Sequence, residues 1–558
     1  MAPNNTLFLH SLLLLCFSSL HIHTSLSLPP TAADVRFLLS SCFLQNQIHN
    51  FTTFPSSTTD DPSATTSFYN LLDYSIQNLR FQGPNTPKPL AIVLPSTAEQ
   101  LVGVVTCCRG KAEIKVRCGG HSYEGASSAW DGGEFVIVDL MRLNAVSVDS
   151  RSETAWVEGG ATLGETYAAV AEGSDGRLGF SAGSCPTVGV GGHIGGGGYG
   201  LLSRRYGMAA DNVVDALLVD AGGRLLDRLS MGEDVFWAIR GGGGGAWGIV
   251  YAWKIKLLKV PTKVTAFAVS RQPAAQNGVS KLVNKWQHVA PKLEPDFYLS
   301  CFVGAGLPGA QQAHQISATF KGLYLGPKSE ALSTLGRDFP ELGLGENECE
   351  EMSWIESVVF FSGLNPGSSV ADLKERYLED KHYFKAKSDY VRSEIPMKGI
   401  ELAVEILERE PKGYVILDPY GGVMSNFSED SIAFPHRKGN LFTIQYLVEW
   451  GEEDGDNSEG YLGWIREFYE LMTPFVSSNP RRAYVNYLDF DLGVVGSEEE
   501  EEEEGGVEVA RVWGEKYFLG NFDRLVMAKT IIDSDNVFNH PQSIPPLSSS
   551  SIGFRDDI

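Results

Sequence analysis

The chain has 558 residues, room for three or four domains or for two large lobes. Its 43% hydrophobic and 20% charged residues describe a packed protein and exclude a largely disordered one. The net charge of −24, still −17 without the run Glu498–Glu504, denies it the basic footprint that nucleic-acid binding requires.

The first element is Leu7–Leu20, an apolar run containing Leu12–Leu15 that is too short to span a bilayer. Ser25 and Ser27 follow, so residues 1–27 read as a secretory signal peptide in which the amino terminus supplies the only positive charge. No later stretch approaches 18 unbroken apolar residues. The mature protein is expected outside the cytosol and free of membrane spans. Eight cysteines are present, and losing Cys16 leaves seven, so at least one does not pair with another. Asn50 and Asn426 begin glycosylation sequons.

Residues 28 to 80 are mixed, with a Ser/Thr/Asp/Pro-rich loop from Pro55 to Ser67. Strands follow at Ala91–Leu94, Ile114–Arg117 and Phe135–Leu140, with a helix over Thr97–Arg109 capped by Ser96 or Thr97. Another strand fits Asn212–Val219, and Pro261 closes the segment Ile249–Val260. From Thr262 to Asn479 glycine thins and aromatic content rises. Strands are expected there at Val264–Ser270, Ile316–Leu325 and Leu441–Trp450, and helices at Ser280–His288, Val370–Tyr377 and Gly460–Met472. A sheet covered by helices on one face fits this second lobe. Beyond Pro480 come a strand-like run Ala483–Phe490, the glutamate run as a solvated loop, and a helix Val507–Tyr517.

Glycine makes up about 11% of the chain against a usual level of roughly 7%, and much of the excess is local. Arg117-Cys118-Gly119-Gly120-His121-Ser122-Tyr123-Glu124-Gly125 follows a strand, where consecutive glycines can turn backbone N–H groups onto a pyrophosphate. Ser184–Gly200 holds Cys185 and a dense glycine series, and Gly241–Gly245 leads into Trp247-Gly248-Ile249-Val250. Neither of the first two fits the Rossmann fingerprint at a strand-to-helix junction. One extended dinucleotide clamped by backbone is the chemical reading; tight turns between strands are the structural alternative.

These segments, with Tyr206–Ala216, Gly232–Gly242, Ala483–Tyr487 and the end from Trp513 to Pro546, resemble the plant berberine bridge enzyme-like family of the vanillyl-alcohol oxidase/p-cresol methylhydroxylase superfamily. The resemblance covers nearly the whole mature chain. It implies an α+β, two-lobed fold: an FAD-binding lobe over 28–262, a substrate lobe with a helix-covered antiparallel sheet over 263–479, and a segment 480–558 returning to the FAD lobe. It implies FAD bonded twice, to His121 and to Cys185, nucleophiles that could add to an electron-poor flavin. Arg117, Cys118, Gly119, Gly120, Ser122, Gly189, Val190, Gly191, Gly192, His193, Tyr199, Gly248, Val250 and Asn486 complete the implied cofactor site, with no metal. Cys118 stands where the family commonly has serine. Cys42 and Cys107 match the family disulfide, although neighbouring Cys108 leaves the partner open.

The implied reaction takes an alcohol to a carbonyl, with Tyr487 as the base and Tyr199, Tyr123 and Gln445 around the substrate. Thr443 stands where many relatives offer a lysine, so the stabilisation of a Tyr487 phenolate is in question and mildly alkaline conditions are expected to suit the enzyme. The founding alkaloid cyclase has glutamate at the position of Gln445, which argues against its cyclisation chemistry here. Val188 matches the position that gates dioxygen, valine being the oxidase form. The resemblance thus implies a secreted (cell-wall) or vacuolar oxidase using a small alcohol, carbohydrate or phenolic and allylic, with O₂ and yielding H₂O₂. Two alternatives stand beside it: an oxidative cyclase or cycloaddition enzyme acting on a prenylated phenol or alkaloid, and a flavoprotein kept for binding or storage. The sequence carries no signature of an oligomeric state.

Overall fold

The strands expected between residues 91 and 140 share one sheet in the computed structural model, which describes residues 31–55, 62–273, 277–305, 307, 315–377, 379–495 and 506–548. The candidate leader 1–27 and the glutamates 498–504 lie outside the described residues. In this first sheet β2 (Ala91–Val93), β4 (Phe135–Asp139) and β3 (Glu113–Arg117) run parallel, and β1 (Phe51–Thr53) closes the edge antiparallel to β2. Helix Ala98–Cys108 makes the crossover, its first turn capped by the Thr97 hydroxyl accepting from Gln100 N. Its Cys107 is bonded to Cys42 of helix Ala32–Gln45, while Cys108 is a free, buried thiol.

A second sheet is antiparallel, in the order β5 (Val146–Asp149), β6 (Thr154–Glu158), β10 (Ile249–Lys256), β8 (Val213–Val219), β9 (Leu225–Leu226). A short pair, β7 (Leu178–Gly179) with β11 (Leu258–Lys259), lies beside it.

The second lobe is built on seven antiparallel strands in the order β15 (Glu350–Met352), β12 (Val264–Arg271), β14 (Ser317–Tyr324), β13 (Phe297–Gly304), β17 (Gly413–Pro419), β18 (Phe442–Trp450), β16 (Tyr383–Val391). The fold is α+β and two-lobed, as the resemblance implied. Side chains alternate across a strand, and here the alternation divides two environments. Phe442, Ile444, Tyr446 and Val448 of β18 pack into one core with Trp286, Ile406 and Phe468 from helices Gly278–Val289, Met397–Arg409 and Ser458–Leu471. Each such buried side chain contributes roughly 1.5–3 kcal/mol. Gln445, Leu447 and Glu449 point the other way and line a cavity.

Three expected elements differ. Of the expected loop Pro55–Ser67, residues 56–61 lie outside the described residues and 62–67 begin a helix, Pro62–Tyr74, where proline at the first helical position forfeits no hydrogen bond. Val370–Tyr377 is only a 3₁₀ turn, Val370–Lys374, after which Arg376 reaches to Glu165 and the Gly160 carbonyl of the other lobe. Ala483–Phe490 is no strand but a turning loop. Its polar groups go to other partners: Tyr484 N donates to Ser388 Oγ, and Asn486 Nδ2 donates to the His193 carbonyl.

The segment after Pro480 packs on the first lobe. Buried Lys529 Nζ donates to the carbonyls of Ala246 and Phe538, and Lys115 Nζ of β3 donates to Asn539. Asn426 is exposed and Asn50 half-buried at the start of β1. Among the described residues no helix is long and apolar enough to cross a membrane, and no group of His, Cys, Asp or Glu is arranged to hold a metal.

Candidate active site

All three glycine segments, three strands of the second lobe and the loop after Ala483 converge on a cavity of about 650 Å³. The loops of His121 and Cys185 touch backbone to backbone. A Cβ at Gly119 would stand 2.5 Å from both Gly189 N and Thr187 O, so only glycine permits the approach. Gly120 has φ +71° and lies against the Ser75 carbonyl, a second position closed to a side chain.

That apposition sets His121 beside Thr187, with Nε2 2.8 Å from the threonine hydroxyl. Cys185 Sγ lies 3.6 Å from the same hydroxyl. Burial, helped by the Lys381 ammonium, pushes the His121 pKa down to about 4, so the imidazole is neutral under ordinary conditions. Burial raises the Cys185 thiol above its usual range, opposed by hydrogen bonds from Thr187 and Val188.

Cys118 resolves the serine-to-cysteine departure. Its Sγ donates to the Gly159 carbonyl at 3.0 Å, and burial pushes the thiol up to about 11, so it remains an S–H donor. His193 is neutral, its pKa lowered to about 4 by burial, and its Nε2 accepts from Gly183 N at 3.1 Å. Ser122, Gly189, Gly191, Gly192, Gly248, Val250 and Asn486 all line the cavity. Arg117 and Val190 do not. Arg117 is fully buried, paired with Asp139 at 2.7 Å and donating to the Leu71 and Leu72 carbonyls, so it braces the loop from behind. The Val190 side chain is in the core, and its N–H is spent on the Ala161 carbonyl.

Tyrosines crowd the rest of the cavity. Tyr123 stacks on Tyr487 with centroids 5.2 Å apart, and Gln445 Nε2 donates to the Tyr123 hydroxyl at 2.6 Å. The Tyr487 and Tyr199 hydroxyls are 2.8 Å apart. Tyr199 donates to Asp418 Oδ2 at 2.9 Å, and Tyr298 donates to the other oxygen of the same carboxylate. Burial raises Tyr487 well above the ordinary phenol range, with Tyr123 and Asp418 adding to the rise. Thr443 is buried, its hydroxyl donating to the Asp389 carbonyl. Val188 is half-buried and borders the cavity beside Cys185.

The FAD binding domain family matches residues 89–228, and the berberine and berberine-like family matches 483–545. Berberine bridge enzyme-like D-1 of Nicotiana tabacum is 57% identical over 99% of this chain and 98% of its own length. A monolignol oxidoreductase of Arabidopsis thaliana is 43% identical over 97% of this chain and 98% of its own. The solved structure of berberine bridge enzyme from Eschscholzia californica aligns with a TM-score of 0.86 at 48% identity, covering 92% of this chain and 99% of that one. The chain belongs to the berberine bridge enzyme-like family. It is an FAD-linked oxidase of that type.

The cavity fits the cofactor of this family. Gly192 and Gly245 border it with no heavy atom within 4 Å of where a Cβ would stand, which leaves bare backbone toward a ligand. A neutral imidazole and a free thiol, the two nucleophile types, open onto the same space.

Thr187, Tyr298 and Asp418 escaped the sequence reading. Thr187 lies within Ser184–Gly200, and nothing in one dimension ties it to His121. Asp418 did leave a signal, a lone carboxylate in Val415-Ile416-Leu417-Asp418. The strand β17 that gives it the same face as Tyr414 and Ile416 was not recognised.

Proposed function

We propose that this protein is a secreted oxidase that converts an alcohol to its carbonyl on an FAD bonded to both His121 and Cys185. Bound FAD would supply a two-electron acceptor for the hydride, and dioxygen would take up those two electrons with two protons to give H₂O₂. The observation that carries the reading is the Tyr487 hydroxyl, bordering the same cavity as His121 and Cys185 and hydrogen-bonded to Tyr199. Tyr487 takes the hydroxyl proton of the substrate, while Tyr123 and Gln445 hold the ring of Tyr487 and the substrate in register.

His121 presents Nδ1 to the flavin, since Nε2 is engaged by Thr187. Thr187 can donate to His121 and accept from the Cys185 thiol at once, which aligns both attachment groups. The walls of Tyr123, Tyr298, Phe302, Tyr414 and Leu447 favour a phenolic allylic alcohol over a carbohydrate, and the Arabidopsis relative described as a monolignol oxidoreductase supports that choice. Val188, small for an oxygen gate, supports O₂ as the acceptor. A second reading, oxidative cyclisation of a prenylated phenol, is favoured by one feature: the uncharged Thr443 where relatives offer lysine.

Secreted full-length protein tests this directly. The acid-precipitated chain stays yellow, and peptide mass spectrometry finds flavin on both residues; a colourless pellet refutes the attachment. Peroxide release is then measured with coniferyl alcohol, cellobiose and a prenylated phenol, with product analysis. An aldehyde from coniferyl alcohol supports the reading, a ring-closed product the second one, and no flavin reduction by any of the three refutes both.

A further inference from the structure

A base that accepts a proton must itself be relieved of one. The hydrogen bonds around Tyr487 state where that proton goes. A tyrosine hydroxyl owns a single hydrogen. Tyr199 gives its hydrogen to Asp418 Oδ2 at 2.9 Å, and Tyr298 gives its own to the opposite oxygen. With the Tyr199 hydrogen spent, the 2.8 Å contact between Tyr199 and Tyr487 is a bond only if Tyr487 is the donor. The lone pairs of Tyr487 Oη are then left for a substrate hydroxyl in the cavity.

We infer that Asp418 is a positioning residue: the proton acceptor at the end of a Tyr487–Tyr199–Asp418 relay, which keeps Tyr487 an acceptor toward the substrate. The inference rests on Tyr487 being the base. The substrate O–H proton passes to Tyr487 Oη, the Tyr487 proton to Tyr199 Oη, and the Tyr199 proton to Asp418 Oδ2. The carboxylate becomes a carboxylic acid, and the substrate carbon, giving up a hydride with its two electrons, becomes the carbonyl. No tyrosinate accumulates. This is how a chain without a lysine at position 443 avoids the need for a stable phenolate.

The surroundings suit the role. Asp418 lies directly opposite Thr443 in the β17–β18 register. The groups facing its carboxylate are Tyr199 from the glycine loop, Tyr298 from β13 and Lys321 from β14, with Thr443 from β18. The Lys321 ammonium sits over the Phe302 ring at 4.3 Å, and among the described residues no basic group lies within 4.0 Å of Asp418. Burial raises the Asp418 pKa above the ordinary carboxylate range, as a proton acceptor of useful strength requires. The protonation state also sets the direction of the chain. Ionised Asp418 receives from Tyr199, which receives from Tyr487 and leaves Tyr487 an acceptor toward the substrate; protonated Asp418 donates to Tyr199, reverses both bonds and turns Tyr487 into a donor toward the substrate. Flavin reduction therefore rises with pH as Asp418 ionises.

The flavin-loaded wild type is compared with D418N, D418E, Y199F and Y487F. Infrared titration without substrate is expected to show a protonated-carboxyl band at low pH that is absent in D418N and whose midpoint moves in Y199F. Absence of that band from the wild type, or an unmoved midpoint, overturns the inference whether or not a substrate is known. In anaerobic stopped flow with coniferyl alcohol, D418N slows flavin reduction by about 10²–10⁴-fold and loses the wild-type pH limb, and D418E recovers the limb. A D418N enzyme that keeps both the rate and the limb overturns it, since asparagine preserves a purely structural acceptor for Tyr199. The two readings fail separately. If Y487F reduces its flavin at the wild-type rate, Tyr487 is not the base and the relay falls with it. If Y487F is slow but D418N titrates as wild type, the base stands and only the relay fails.

Discussion

Lys385→Met tests what holds the two lobes around the cavity. Lys385 of β16 is 3% exposed and pairs with Glu124, which follows Tyr123 in the first lobe, and with Asp489 at 2.8 Å, two residues past Tyr487. Lys387 binds Asp489 at 2.6 Å and Asp491 at 2.9 Å, completing a buried cluster. Methionine keeps most of the stem volume, so the perturbation is nearly pure charge. It leaves Glu124, only 5% exposed, with Arg80 at 3.7 Å as its remaining cation. Breaking a buried pair from one side typically costs about 3–5 kcal/mol. For a chain of this size that is a fall in Tm of roughly 3–4 °C by calorimetry.

The pH dependence gives the reasoning a second handle. Burial already raises the Glu124 pKa above the ordinary carboxylate range, against the pull of Lys385 and Arg80, and loss of Lys385 raises it further. A folded state that holds the proton more tightly than the unfolded state gains stability as pH falls. The deficit of K385M is therefore largest at neutral pH and shrinks as pH drops through the folded-state value of Glu124. A variant within 1 °C of wild type, the change expected from losing the roughly 1 kcal/mol of an exposed pair, or a deficit that ignores pH, would refute the account.

Three further outcomes are expected. Thr187→Val keeps the shape but removes the hydroxyl between His121 and Cys185, so flavin attachment, followed by the yellow colour of denatured protein, slows markedly while the Tm changes by about 1 kcal/mol or less in equivalent. Val188→Leu adds a methylene at the cavity rim and slows reoxidation by O₂ in stopped flow while flavin reduction is little affected; equal losses in both half-reactions assign Val188 to packing. Thr443→Lys places an ammonium opposite Asp418, which holds the carboxylate ionised and moves the rising limb of the pH–rate profile to lower pH.

The glycine loops, with the histidine and cysteine they carry to one cavity, were legible in the sequence because their geometry is local. A backbone that must approach another backbone admits only glycine, and Gly119, Gly120 and Gly189 announce that in one dimension. Regular elements with a clean apolar period were legible too: Ala98–Cys108, Val213–Val219 and Phe442–Trp450 fall within a residue or two of their expected bounds. The loop Ala483–Phe490 was misread because its alternation serves tertiary partners, Ser388 and His193, and no neighbouring strand. Arg117 was misplaced for the related reason that a charge beside a glycine loop can face the ligand or brace the loop, and only Asp139, 22 residues on, decides for the second. The tyrosine–carboxylate chain was out of reach altogether. Tyr199, Tyr298, Asp418 and Tyr487 come from four segments spread over nearly 300 residues, and a hydrogen bond's direction depends on what else each hydroxyl touches. Composition and motif decide which chemistry this chain carries; sheet register and lobe contact decide which way its protons run.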